Sequence, residues 1–199
     1  MKSSIIVEYY NDKKIYMTTI QKIGIINNIS NYQNIKRLGC SKSQLTELSE
    51  IPQNIQQLNC NHNQLKKLPK LPNSLITVIC HFNLLKSLPE LPNSLQELNC
   101  NYNLLNVLPE LPNSLEALEC NNNQLRVLPE LPNSLKELYC NYNRLNVLPE
   151  LPNSLEVLEC NNNQLRVLPE LPDSLIYIEF KNNPLITKNY KYLKFIIYY

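Results

Sequence analysis

Seven cysteines stand at positions 40, 60, 80, 100, 120, 140 and 160, a constant step of twenty residues. Thiolates can hold zinc, exchange disulfides or attack carbon. Zinc sites use cysteines about two to four residues apart, and a twenty-residue step offers no such pair. A nucleophilic thiol needs a base on its own face. The two histidines are His62 and His81. An alternation that turns Cys60 and Cys80 inward carries both imidazoles outside. Strands stacked about 4.8 Å apart would line the cysteines up against an apolar interior, where the thiol acts as a small hydrophobe. No catalytic residue, metal ligand or cofactor is therefore expected.

The elements that must position these thiols share the twenty-residue step. Asparagine recurs at Asn63, Asn83, Asn103, Asn123, Asn143, Asn163 and Asn183, and Phe180 takes the slot after Cys160. Leucine recurs at Leu58, Leu98, Leu118, Leu138 and Leu158, with Leu38 before and Ile178 after. Paired prolines run from Pro69/Pro72 to Pro169/Pro172. One unit, residues 155–174, reads LEVLECNNNQLRVLPELPDS. Its first half alternates, so Leu158 and Cys160 point to one side of a strand. Its second half cannot be helix interior, because proline removes donors and pushes the preceding residue out of the α region. Extended, polyproline-like chain is expected there. A unit this small buries its leucines only by stacking on its neighbours. The asparagine column is expected to satisfy backbone groups left free in the turns.

The pattern L-x-x-L-x-L/C-x-x-N-x-L resembles the leucine-rich repeat family. It is most similar to the short twenty-residue class with an LPxLP back half, as in bacterial effectors and repeat proteins of giant viruses. The resemblance covers residues 35–185 as eight units. It implies an α/β-type repeat solenoid: a right-handed superhelix with a concave parallel β-sheet, an extended convex side and little helix. Ser43 and Ser49 depart from the motif in the first unit. Residues 1–34 are expected to form an N-terminal cap, with strands at Ile5–Tyr10 and Lys14–Thr18 around Asn11-Asp12 and a degenerate coil through Ile20–Ile29. Residues 186–199, aromatic and basic, are expected to cap the other end, all within a single structural domain.

Alternation leaves one face of the strands exposed. Glu97, Glu137 and Tyr177 fall in one outward row, and Ile79, Glu119, Tyr139 and Glu159 in another. Phe82, Tyr102 and Tyr142 follow the strands in a third row, and Leu84, Leu104 and Arg144 in a fourth. Ile79, Phe82, Leu84, Tyr102 and Leu104 then form an apolar patch, and aromatic residues on a rigid face are common interface anchors. These thirteen residues are the candidate partner-binding site.

Composition limits the alternatives. The 199 residues include 2 glycines, which excludes glycine-rich phosphate loops. The net charge of +2 argues against nucleic acid as a partner. Residues 1–90 carry 11 basic and 5 acidic side chains, whereas residues 91–170 carry 4 and 10. Much of the acid falls on the exposed strand face, which suits a protein partner with a basic surface. With no apolar run long enough to span a membrane and no export signal, a cytoplasmic location, in the producing or a host cell, and reduced thiols are expected. The expectation is a monomeric, non-enzymatic interaction module. Two rivals are a substrate-recognition subunit of a ubiquitin ligase and a structural repeat with no specific ligand.

Two units repeat almost verbatim at a distance of forty. Residues 115–134 and 155–174 differ only at Ala117/Val157 and Asn133/Asp173. Residues 95–114 and 135–154 differ only at Gln96/Lys136, Asn99/Tyr139 and Leu104/Arg144. Similarity higher at forty residues than at twenty points to duplication of a two-repeat block, and most of the changes fall at positions expected to be exposed, which fits diversified recognition and simple tolerance of surface change alike.

Overall fold

The computed structural model describes residues 5–9, 14–17, 35–48 and 51–186. The degenerate coil expected at 20–29 and nearly all of the expected C-terminal cap lie outside them. Each unit places a short strand in the same register: β3 (Ile35–Gly39), β4 (Gln57–Asn59), β5 (Thr77–Ile79), β6 (Glu97–Asn99), β7 (Ala117–Glu119), β8 (Glu137–Tyr139), β9 (Val157–Glu159) and β10 (Tyr177–Glu179). Neighbours pair in parallel, Leu98 opposite Leu118 and Leu118 opposite Leu138, so the twenty-residue sequence step becomes one strand of lateral displacement. The chain is a parallel solenoid with no helix among the described residues.

At the N-terminal side, β1 (Ile5–Tyr9) pairs antiparallel with both β2 (Lys14–Met17) and β3. The hairpin extends the sheet to ten strands and makes β2 its edge.

The core is one continuous column. The second-last residue of each parallel strand, from Leu38 to Ile178, is buried, and so is every cysteine from Cys40 to Cys160. From Leu65 to Leu175 the back half of each coil contributes three or four more buried leucines, such as Leu125, Leu128, Leu131 and Leu135. Prolines suit this back half. The ladder bonds run through the strands and the turns after them, so Pro109 and Pro112 remove two donors from a stretch that lacks partners.

The asparagine column works as expected of it. In the coil of β7, Asn123 Nδ2 donates to the carbonyls of Cys100 (3.0 Å), Cys120 (3.2 Å) and Asn121 (3.2 Å). Its Oδ1 accepts the Leu105 amide at 3.0 Å. One side chain thus ties two coils together, and the pattern recurs from Asn63 to Asn183. Ser43, the departure from the motif, donates its amide to Asn63 Oδ1 at 3.0 Å. A second staple joins the opposite end of each coil: the Ser114 hydroxyl donates to the Leu95 carbonyl at 2.7 Å, and Ser134 to Leu115 at 2.6 Å.

Candidate functional site

The open face of the sheet carries the candidate residues, and the turn after each strand decides how they stand. His62, Phe82, Tyr102, Asn122, Tyr142, Asn162 and Asn182 all adopt the left-handed backbone region, with φ between 50° and 57°. That conformation costs an L-residue roughly 1–2 kcal/mol unless it is glycine or, to a lesser extent, asparagine. Asn122, Asn162 and Asn182 are therefore the occupants the backbone prefers. The rings at 62, 82, 102 and 142 are there against that preference.

Three of those rings form a stack. Phe82 lies on Tyr102 with centroids 4.2 Å apart and planes 8° apart. His62 lies on the other face of Phe82 at 4.4 Å and 16°. Phe82 and Tyr102 remain 40% and 46% exposed, so the stack presents its edges to solvent. Leu84 and Leu104 are exposed in the adjacent row, while Ile79 is only half-buried rather than open. Tyr142 is 57% exposed and touches no ring among the described residues. Arg144 is exposed and forms no ion pair among them.

The carboxylates gather beside this row. Glu119 Oε2 accepts from Asn99 Nδ2 and Asn101 Nδ2, each at 2.7 Å. Burial raises its pKa, the Asn101 bond opposes this, and the charges of Glu137 and Glu97 add to the rise. Tyr139 donates its hydroxyl to Glu137 Oε2 at 3.1 Å. Its phenol is pushed up to about 12 by burial first and then by Glu137, with Glu159 and Glu119 contributing. The charges of Glu97 and Glu137 thus reach Glu119, and those of Glu137, Glu159 and Glu119 reach Tyr139. Tyr177 sits at the far end, its phenol raised to about 12 chiefly by its hydrogen bond to Glu179. That bond in turn holds the Glu179 carboxyl below its usual value.

Sequence reasoning missed a second asparagine column, one residue after the cysteines. Asn101, Asn141 and Asn161 donate Nδ2 to Glu119, Glu159 and Glu179 of the next coil, each at 2.7 Å. Their Oδ1 atoms, and that of Asn121, accept the backbone amide one coil on, as in Asn121 N to Asn101 Oδ1 at 2.6 Å. The signal was present as Cys-Asn recurring at 60, 100, 120, 140 and 160. Strict strand alternation hid it, because the chain has already begun to turn after the cysteine.

His81 occupies this second column and is half-buried rather than fully outside. Its Nε2 meets Asn61 Nδ2 at 2.6 Å, in the place where a glutamate serves other coils. Asn61 Oδ1 is buried with no partner. Burial, then the neighbouring His62, lowers the His81 pKa.

The thiols are inert in this setting. Burial pushes Cys40, Cys80, Cys120 and Cys160 up to about 12, and holds Cys60, Cys100 and Cys140 well above their ordinary value. No group of three His, Cys, Asp or Glu residues among the described residues could hold a metal ion. Grooves of about 490 and 290 Å³ lie between successive back halves and are lined by residues such as Glu110, Glu130 and Pro132, none of them in the ring column or on the sheet. No helix among the described residues is long and apolar enough to cross a membrane.

No protein-family model and no curated protein sequence matches the chain. Solved structures do. The chain is similar to YopM from Yersinia enterocolitica WA-314, with a TM-score of 0.77 and 38% identity over 77% of this chain and 34% of that one. It is similar to YopM, a leucine-rich effector protein from Yersinia pestis, with a TM-score of 0.76 and 36% identity over 83% of this chain and 48% of that one. It is also similar to the leucine-rich-repeat domain of a Shigella effector, with a TM-score of 0.72 and 29% identity over 88% of this chain and 81% of that one. The chain thus spans about a third and about half of the two Yersinia proteins.

Proposed function

We propose, from the premise that the chain is a leucine-rich-repeat solenoid of the short twenty-residue class, that it is a binding module for another protein, which docks across the open, concave face of its sheet. The observation that carries this reading is the ring column. Phe82 and Tyr102 hold an unfavourable left-handed backbone that the asparagine of other coils would relieve, and they leave their edges in solvent. Packing of the core does not call for them. Backbone strain that folding does not need is a recurrent mark of recognition sites.

The partner inferred has a basic surface. Glu97 and Glu137 act on Glu119, and Glu119, Glu137 and Glu159 act on Tyr139, so negative charge gathers on this face. Such a field speeds association with a cationic surface, is weakened by salt, and disfavours nucleic acid. The reading assigns no reaction to the chain. Its relatives in the solved structures are repeat domains of effectors, which supports a binding role without naming a partner.

The experiment is capture of the partner from cell lysate, followed by affinity measurement with Phe82→Ala/Tyr102→Ala. Loss of two anchors should weaken binding by about 2 kcal/mol or more while the fold survives. Unchanged affinity in the double variant, with binding lost instead on removing residues 186–199, would move the site off this face.

A further inference from the structure

The ring column has one gap bounded by rings on both sides. Tyr102 and Tyr142 belong to alternate coils, and Asn122 takes the position between them. The backbone ladder is continuous through all three: the amides of Tyr102, Asn122 and Tyr142 each donate to the carbonyl of the residue before the next rung, at 2.9 Å. All three share the same left-handed turn. In the filled part of the column each ring occupies a layer of 4.2–4.4 Å. Two layers therefore separate Tyr102 from Tyr142, about 9 Å at the usual strand spacing. A planar group needs about half of that. The short Asn122 side chain makes no hydrogen bond to another side chain among the described residues, which leaves its amide free to serve as the floor of the gap.

We propose that Tyr102, Asn122 and Tyr142 form a slot for one arginine side chain of the protein partner. The inference rests on the reading of this face as a binding surface and names what that surface selects. The occupant must be planar, because the slot is one layer thick and Tyr102, stacked on Phe82 through one face, turns its other face along the column toward the gap. It must also be cationic, because Glu119 lies in the same coil and Glu137 in the next, close enough for the charge of Glu137 to act on Glu119. A guanidinium satisfies both demands: it stacks on aromatic faces, carries a permanent charge, and offers donors to the Asn122 carbonyl and the carboxylates. A lysine ammonium has the charge without the plane, and an aromatic side chain has the plane without the charge. The other asparagine of the column that follows a tyrosine, Asn162, has a tyrosine on one side only, since Asn182 follows it and bonds to it at 2.9 Å.

The test uses the full chain with ring-labelled tyrosines, their NMR signals assigned through single Tyr→Phe variants. N-acetyl-arginine amide is titrated in, with N-acetyl-lysine amide and the uncharged citrulline analogue as comparisons. The arginine probe is expected to shift the Tyr102 and Tyr142 rings together, with about tenfold or more tighter binding than either comparison. Asn122→Tyr, which fills the layer with a third ring, should abolish those shifts, while Asn162→Tyr should preserve them. Tyr142→Leu removes one wall and should also weaken the probe, so the test does not depend on one variant folding. No coupled shift at the two tyrosines, equal binding of lysine and arginine, or full binding by Asn122→Tyr would overturn the slot. Failure here is separable from failure of the binding face itself. If Asn122→Tyr still binds the captured partner while Phe82→Ala/Tyr102→Ala does not, the face stands and the arginine slot falls.

Discussion

Phe82 lies face to face on Tyr102, 4.2 Å between centroids and 8° from parallel, although both residues sit at a left-handed φ of 50–52°. Two opposed energies meet in this pair. Stacking contributes about 0.5–1.5 kcal/mol, and the backbone conformation costs roughly 1–2 kcal/mol per residue. Tyr142 bears the same backbone cost with no ring to stack on among the described residues. Tyr142→Asn is therefore expected to hold or raise stability, by up to about 1 kcal/mol, because asparagine tolerates the left-handed region. Phe82→Asn, which loses three ring neighbours, His62, His81 and Tyr102, for the same relief, should gain less or lose stability. Urea unfolding of both variants measures the difference. A tyrosine variant less stable than the phenylalanine variant would contradict this balance.

The thiols should be silent in the folded protein. All seven cysteines are buried, with pKa values of about 12 or raised well above 9.0. Thiolate populations at neutral pH are correspondingly small, and iodoacetamide labelling should wait for unfolding. Cys120→Ser puts a hydroxyl among leucines and should destabilise by roughly 1–3 kcal/mol. Rapid labelling of most thiols under native conditions would mean that the core column is open.

Asn123 offers the strongest single test of the turn ladder. Asn123→Ala removes the acceptor of the Leu105 amide and the donor to three carbonyls. Leaving such buried groups without partners costs about 1–3 kcal/mol each for those that water cannot reach. Asn123→Asp should be worse than alanine at neutral pH, because it keeps the acceptor and places a negative charge against the carbonyls. Guanidinium midpoints of the two variants decide the order.

His81 makes stability depend on pH. Its folded pKa lies below the ordinary 6.5, so the unfolded chain binds the proton first as pH falls. Stability is therefore unaffected well above about pH 6.5 and declines as pH drops from there through the lower folded value. Protonation also turns Nε2 into a donor facing the Asn61 Nδ2 donor, with His62 close by. His81→Asn should flatten this slope. The comparison is the unfolding midpoint at pH 7.5 and 5.5 in wild type and variant; a slope retained by the variant would assign the effect elsewhere.

Whole repeats should be removable. Deleting 115–154 rejoins Ser114 to Leu155 in register, and each coil touches only its neighbours. The shortened chain is expected to fold with the same circular dichroism and lower stability, while deletion of 115–124 should be far more damaging. Equal damage from both would be incompatible with a modular stack.

The fold was legible because its signals are additive. Cysteine, leucine, asparagine and proline recur at fixed offsets, and each recurrence strengthens one assignment, from the buried second-last residue of each parallel repeat strand to the extended back halves that follow. The site was legible only as rows. Alternation predicted that Phe82, Tyr102 and Tyr142 leave the core, but the left-handed turn that aligns them follows no residue preference visible at 82 or 102. The same turn buries Asn101 and Asn141 at positions where alternation suggests solvent. Ile79 is half-covered because strands one layer apart shield each other's open-face side chains. The pairing of Asn61 with His81 depends on Ile79 standing where other coils carry glutamate, a local conflict that a repeat average conceals.

The ladders also set how the chain can find its structure. Asn123 reaches back 18 residues to the Leu105 amide and 23 to the Cys100 carbonyl, and the same spans recur at every asparagine from 63 to 183. Closing a loop of that size costs the same entropy at each step, and the side-chain bonds between the described parallel coils demand none longer than 23 residues. Growth by one coil therefore repeats a single barrier. Each coil can dock on its predecessor as soon as about twenty further residues have left the ribosome. Lengthening the array by duplication would add rungs without adding a harder search, so a lineage of such chains can vary its reach while leaving the folding route unchanged.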